Sequence, residues 1–82
     1  MKISVRYFAS VREALGGGDV VDTQAATLAE LRDELIARDE AHAMALARGR
    51  AVRMALDQVM SAESAPLREG SEVAFFPPVT GG

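Results

Sequence analysis

The residues that could carry chemistry are few, and the most informative of them close the chain as Phe75-Phe76-Pro77-Pro78-Val79-Thr80-Gly81-Gly82. Consecutive prolines favour an extended, polyproline-like path, which holds the last four residues away from those before the prolines. Gly81 and Gly82 have no side chains, so they can thread a channel in which any Cβ would collide. A Gly-Gly end alone is weak, arising by chance in roughly one chain in 200 at the average glycine usage of about 7%. Joined to a stiff proline exit and an apolar strand leading straight into it, the same dipeptide becomes a strong signal. The candidate reactive group is then the carboxylate of Gly82. A carboxylate is a poor acyl donor until one of its oxygens becomes part of a leaving group, and the usual route is attack on ATP to give an acyl-adenylate. No ATP site is legible in the chain, so no cofactor is expected to bind it. An activating partner is expected to supply ATP and magnesium, and a second partner to receive the acyl group or the atom it carries. Sulfur held as a C-terminal thiocarboxylate suits a chain without cysteine.

Other chemistry is poorly supported. A structural zinc needs several Cys or His ligands, and the chain has no cysteine and one histidine, His42, between two alanines. His42 reads as a partly exposed spacer on a helical stretch, with no nucleophile-elbow serine to serve. The pairs Asp33-Glu34 and Asp39-Glu40 are sequence neighbours that point about 100° apart on a helix, which makes them solvated surface. Gly16-Gly17-Gly18 lacks the Gly-Lys-Ser/Thr ending of a nucleotide loop and reads as a turn.

Bulk properties narrow the partners. The 82 residues make one domain; 49% are apolar and 26% charged, the balance of an ordinary globular protein. Net charge is −3 and the eight arginines are scattered, which argues against nucleic acid or a membrane surface. Charge interrupts each apolar stretch, so neither signal peptide nor membrane span is expected, and the cytoplasm is the default location.

These features need elements to position them. Ile3, Val5 and Tyr7 alternate with Lys2, Ser4 and Arg6 as a first strand; a short helical stretch over 9–15 and the triple glycine lead to a second strand over 19–23. Thr27-Leu28-Ala29-Glu30 is a capping box, and Leu28, Leu31, Leu35 and Ile36 form one stripe of a main helix over 28–38, with Glu34 and Arg38 paired on its wet side. A further helical turn over 42–47, a third strand through Val52, Met54 and Leu56, a connection over 61–71 and a last strand over 72–76 complete the order. One helix layer packs on one sheet, with the first and last strands central: a β-grasp.

The stretches Tyr7-Phe8-Ala9 and Val11-Arg12-Glu13, the strand Glu72-Val73-Ala74-Phe75-Phe76 and above all Pro77-Pro78-Val79-Thr80-Gly81-Gly82 resemble, within a whole-chain likeness, the molybdopterin synthase small subunits. These are ubiquitin-like sulfur carriers of molybdenum cofactor biosynthesis. The resemblance implies an α+β, ubiquitin-like β-grasp with a mixed sheet of four to five strands and one main helix across one face. It divides the chain into a domain over 1–76 and a flexible C-terminal tail over 77–82. It implies that Gly82 is adenylated by an activating enzyme and converted to a thiocarboxylate by a sulfurtransferase system. The tail residues Pro77, Pro78, Val79, Thr80 and Gly81 would thread into the active site of the large subunit, in a heterotetramer. There sulfur passes to cyclic pyranopterin monophosphate, two deliveries building the dithiolene of molybdopterin, with the catalytic side chains on the large subunit and no activity in this chain alone. Phe76, Phe8, Met60 and Arg12 are the expected partner interface, the two phenylalanines lying on the sheet face opposite the helix. Asp57 stands where the family often has asparagine, and Ser71 where it often has aspartate. A carrier for thiazole synthesis, a ubiquitin-like protein modifier and a plain interaction domain remain as alternatives.

Overall fold

Alternating residues make Lys2–Tyr7 a strand, β1, with Ile3, Val5 and Tyr7 buried on one face. In the computed structural model, which describes residues 1–78, seven elements come after it: α1 (Ala9–Leu15), β2 (Gly18–Asp22), α2 (Leu28–Ile36), α3 (Glu40–Leu46), β3 (Arg53–Leu56), β4 (Val59–Met60) and β5 (Glu72–Phe76). The sheet has the order β2-β1-β5-β3-β4. Its central pair, β1 and β5, is parallel, and every other pairing is antiparallel. This mixed five-stranded sheet is a β-grasp, with the two most apolar strands at its centre as the sequence predicts.

The long helix forms where its cap permits. The Thr27 hydroxyl accepts from the Glu30 amide and donates to the Glu30 carboxylate, both at 3.3 Å. Leu28, Leu31 and Leu35 are fully buried over the sheet. The helix ends at Ile36, two residues before its expected limit, because Arg38 N–H reaches back only to the Leu35 carbonyl at 3.1 Å, a tighter turn than an α-helix continues. The expected Glu34–Arg38 pair does not form. Glu34 instead accepts from the buried Thr23 hydroxyl, and Arg38 lies 3.7 Å from Asp19.

The sequence predicts α3 as one turn over 42–47, whereas it starts at Glu40. The Asp39 carboxylate accepts from the His42 amide at 2.8 Å and so caps the helix. This drives the Asp39 pKa below the usual carboxylate range, first through that backbone bond and then through the His42 ring. The other end of α3 is held by Arg32, whose side chain is buried. Its Nε donates to the Leu46 carbonyl at 2.7 Å and Nη2 to the Ala47 carbonyl at 3.0 Å. Burial lowers the Arg32 pKa, with Glu63 at 3.8 Å opposing that shift.

Two backbone positions set the sheet edges. At Gly18, with φ +143°, a Cβ would stand 2.2 Å from the Val5 carbonyl oxygen, so the β1–β2 pairing needs glycine there. Asp57 and Gln58 have φ of 49° and 68°, which makes Leu56–Val59 a tight hairpin with left-handed residues at both centres. The Asp57 side chain ties this turn to the last strand: its carboxylate accepts from the Glu72 amide at 2.9 Å. Ser71 accepts from the Arg68 amide at 3.0 Å through its hydroxyl. Both side-chain oxygens serve as acceptors for backbone amides around the loop that leads into β5.

Candidate docking face and tail exit

β5 sorts its residues by alternation. Val73 and Phe75 are fully buried beneath the helices, which turns Glu72, Ala74 and Phe76 to the outer face. In the register, Phe76 stands opposite Arg53, and Ala74 opposite Ala55, which in turn faces Met60. The Phe8 amide donates to the Phe75 carbonyl at 3.1 Å, carrying the β1–β5 ladder one step past Tyr7. With φ −130° and ψ 156°, Phe8 is still extended, so its ring falls on the outer face beside Phe76. Phe8 is 42% exposed and Met60 57% exposed, while Phe76 is half-buried. Alanines at 55 and 74 keep the floor between them low. Large exposed side chains flanking a floor of small ones suit a partner that lays its own apolar groups across the sheet.

The structure thus brings Phe8, Phe76 and Met60 onto one face. Arg12 is not on that sheet face: it sits one turn into α1, its amide bonded to the Phe8 carbonyl at 3.3 Å and its guanidinium against Gly17. Pro77 and Pro78 are half-buried and line a groove with Val11 and Ala14 of α1, Ala45 of α3, and Arg50 and Val52 of the segment entering β3. The exit is therefore seated against the helices through Pro78. Val79, Thr80, Gly81 and Gly82 lie outside the described residues.

Three features of this region escaped sequence reading. Arg50 and Arg53 flank the exit, and nothing in their spacing marks them as neighbours of a tail some 25 residues on; the β3–β5 register brings Arg53 opposite Phe76, and the groove that seats the prolines brings in Arg50. Tyr7 packs its ring 6.0 Å from that of Phe75 and 6.3 Å, edge-on, from His42. Its buried hydroxyl has no hydrogen-bond partner among the described residues, and burial raises its pKa. His42 is less of a spacer than expected, since its Nδ1 lies 2.7 Å from Asp39. Among the described residues, no group of three or more His, Cys, Asp or Glu is arranged to hold a metal, and no helix is long and apolar enough to cross a membrane.

Comparison with known proteins gives consistent findings. The model of the ThiS family matches residues 5–82. The chain is 43% identical over 82 residues to the molybdopterin synthase sulfur carrier subunit of Escherichia coli (strain K12), a match covering 98% of this chain and 99% of that one. Among solved structures it is similar to a chain of the complex of subunits 1 and 2 of molybdopterin-converting factor from Helicobacter pylori 26695, at TM-score 0.70, 28% identity and full coverage of both chains. It is also similar to SAMP1 from Haloferax volcanii, at TM-score 0.76, 26% identity and full coverage of both.

Proposed function

The chain belongs to the ThiS family, and from that premise we propose that it is the sulfur carrier subunit of a molybdopterin synthase, acting through the carboxylate of Gly82. A carboxylate oxygen of Gly82 attacks the α-phosphorus of ATP, held with magnesium by an adenylating enzyme, and pyrophosphate leaves. Sulfur delivered at the sulfide level by a sulfurtransferase system attacks the acyl carbon. The C–O bond to AMP breaks, and a thiocarboxylate remains. In the large subunit that sulfur attacks a carbon of cyclic pyranopterin monophosphate and displaces the oxygen substituent of that carbon, whose C–O bond breaks with its electron pair on oxygen, giving a thioester. Water then cleaves its acyl C–S bond, which leaves the sulfur on the pterin and returns Gly82 as a carboxylate. One carrier gives one sulfur, so the dithiolene needs two deliveries.

The observation that carries this reading is the placement of the exit. The central strand β5 runs without a break into Pro77-Pro78, beside an apolar face formed by Phe8, Phe76 and Met60. A tail leaving from the sheet's middle can enter a partner's site while the sheet's outer face rests on that partner's surface. The Helicobacter pylori neighbour, a complex of two subunits, supports a large-subunit partner.

The intact mass before and after incubation with an adenylating enzyme, ATP and a sulfur donor tests this function. We expect one oxygen replaced by sulfur in the full chain and no change in a chain lacking Gly82. An unchanged mass, with an enzyme proven on another carrier, would overturn the reading.

A further inference from the structure

The chain has eight arginines and a single lysine, Lys2. The charged side chains at the tail's exit are arginines: among residues otherwise small or apolar, Arg50 lines the groove that seats Pro77 and Pro78, and Arg53 is the cross-strand partner of Phe76. Lys2 sits at the other end of the sheet. It begins β1 and pairs with Asp22, whereas the tail leaves level with Phe8, because Tyr7 is paired with Phe75. Six strand residues separate the two levels, about 20 Å at roughly 3.3 Å each. The four residues beyond Pro78 span at most about 14 Å. The Met1 amino group, bonded to the Thr23 carbonyl at 2.9 Å, lies at that same far end.

We propose that Arg50 and Arg53 determine which nucleophile captures the activated tail, by surrounding its exit with positive charge that cannot form an amide. This inference rests on the adenylation of Gly82 proposed above. An acyl-adenylate reacts with any neutral amine: the C–N bond forms, the C–O bond to AMP breaks, AMP leaves with the electron pair, and the nitrogen loses its proton to solvent. A lysine of pKa about 10.4 is neutral in roughly one molecule in a thousand near pH 7.4, while guanidinium stays charged and its nitrogen lone pairs are delocalised. A lysine tethered beside the exit would nonetheless act at an effective concentration in the millimolar range, without leaving the molecule. Arginine keeps the charge that an acidic partner surface or the adenylate phosphate would meet, and removes that competitor. The tail is thereby left for sulfur.

The test compares the native chain with Arg50→Lys, Arg53→Lys and the double variant, each incubated with adenylating enzyme, magnesium and ATP but no sulfur donor. Pyrophosphate release counts adenylate formed, and intact mass with fragment sequencing counts a product lighter by one water and joined from Gly82 to an amine of the same chain. We expect that product to rise about tenfold or more per adenylate in the double variant, with the join at the new lysines, and to stay at the native level when both positions are glutamine. Equal amide per adenylate in the lysine variant and the native chain would overturn the proposal while leaving the carrier function standing. No pyrophosphate release from the native chain would overturn both.

Discussion

Tyr7 is the residue whose chemistry the fold uses least well. Its ring completes the core against Phe75 and His42, yet its buried hydroxyl finds no partner among the described residues. An unsatisfied buried hydroxyl costs about 1–3 kcal/mol, so removing the oxygen and keeping the ring should stabilise the fold. We expect Tyr7→Phe to raise the midpoint of thermal unfolding by several degrees, about 4–8 °C for each kcal/mol in a domain this small. The same burial gives a pH signature. The phenol's pKa in the folded chain is raised above its unfolded value of about 10, so the folded state keeps the proton that the unfolded state releases. That contribution is complete below pH 10 or so and is lost as pH climbs towards the folded value. An alkaline decline in stability, tracked by denaturant titration, should therefore be smaller in Tyr7→Phe than in the native chain. Equal declines would place the loss on another group.

At the scale of elements, α2 and α3 are joined by one cation. Arg32 spans from the buried side of α2 to the last carbonyls of α3, which have no helical partner of their own. Replacing it with methionine keeps the stem's bulk and orphans both carbonyls, which should cost about 2–3 kcal/mol. Thermal unfolding should show that loss, and hydrogen exchange should show the amides of α3 opening before those of the sheet. A uniform rise in exchange would mean that Arg32 supports the whole core rather than one joint. Arg32 was not legible from the sequence because, in a stripe of leucines, an arginine reads as the wet side. The failed Glu34–Arg38 pair has the same origin. Spacing along a helix shows which residues can meet each other, and says nothing of Thr23 and Asp19, which tertiary packing brings closer. β4 went unread because Asp57-Gln58 lacks the glycine that marks a two-residue hairpin. By contrast, β1, the start of α2 and β5 were legible, since alternation, a capping box and a double-proline stop are each fixed by local geometry.

At the scale of the molecule, the two faces of the sheet have different tasks. The inner face is filled by α2 and its neighbours, while the outer one carries Phe8 and Met60 in the open and Phe76 between Phe8 and Arg53. If the large subunit rests there, Phe8→Ser and Met60→Ser should each weaken its binding about tenfold, roughly 1.4 kcal/mol, with the unfolding midpoint little changed. Titration calorimetry separates the two effects. Unchanged affinity in both variants would move the interface off this face and onto the tail and α1, where Arg12 stands. The proline exit, Pro77-Pro78 at the end of β5, was the most legible described part of the candidate site, because proline acts through backbone geometry that needs no neighbours. Its cationic surroundings were not, since β3 and β5 meet only in the folded sheet.

The position of β5 also has a mechanical meaning. A partner that draws the tail into a channel pulls on Phe76 along the strand axis, and β5 is bonded on both flanks, to β1 and to β3. Load applied in that direction is shear: the ladder hydrogen bonds lie across it and must yield together, whereas an edge strand lifted from one end unzips one bond at a time. The exit can be tugged repeatedly, once per delivery, without peeling the strand that anchors it.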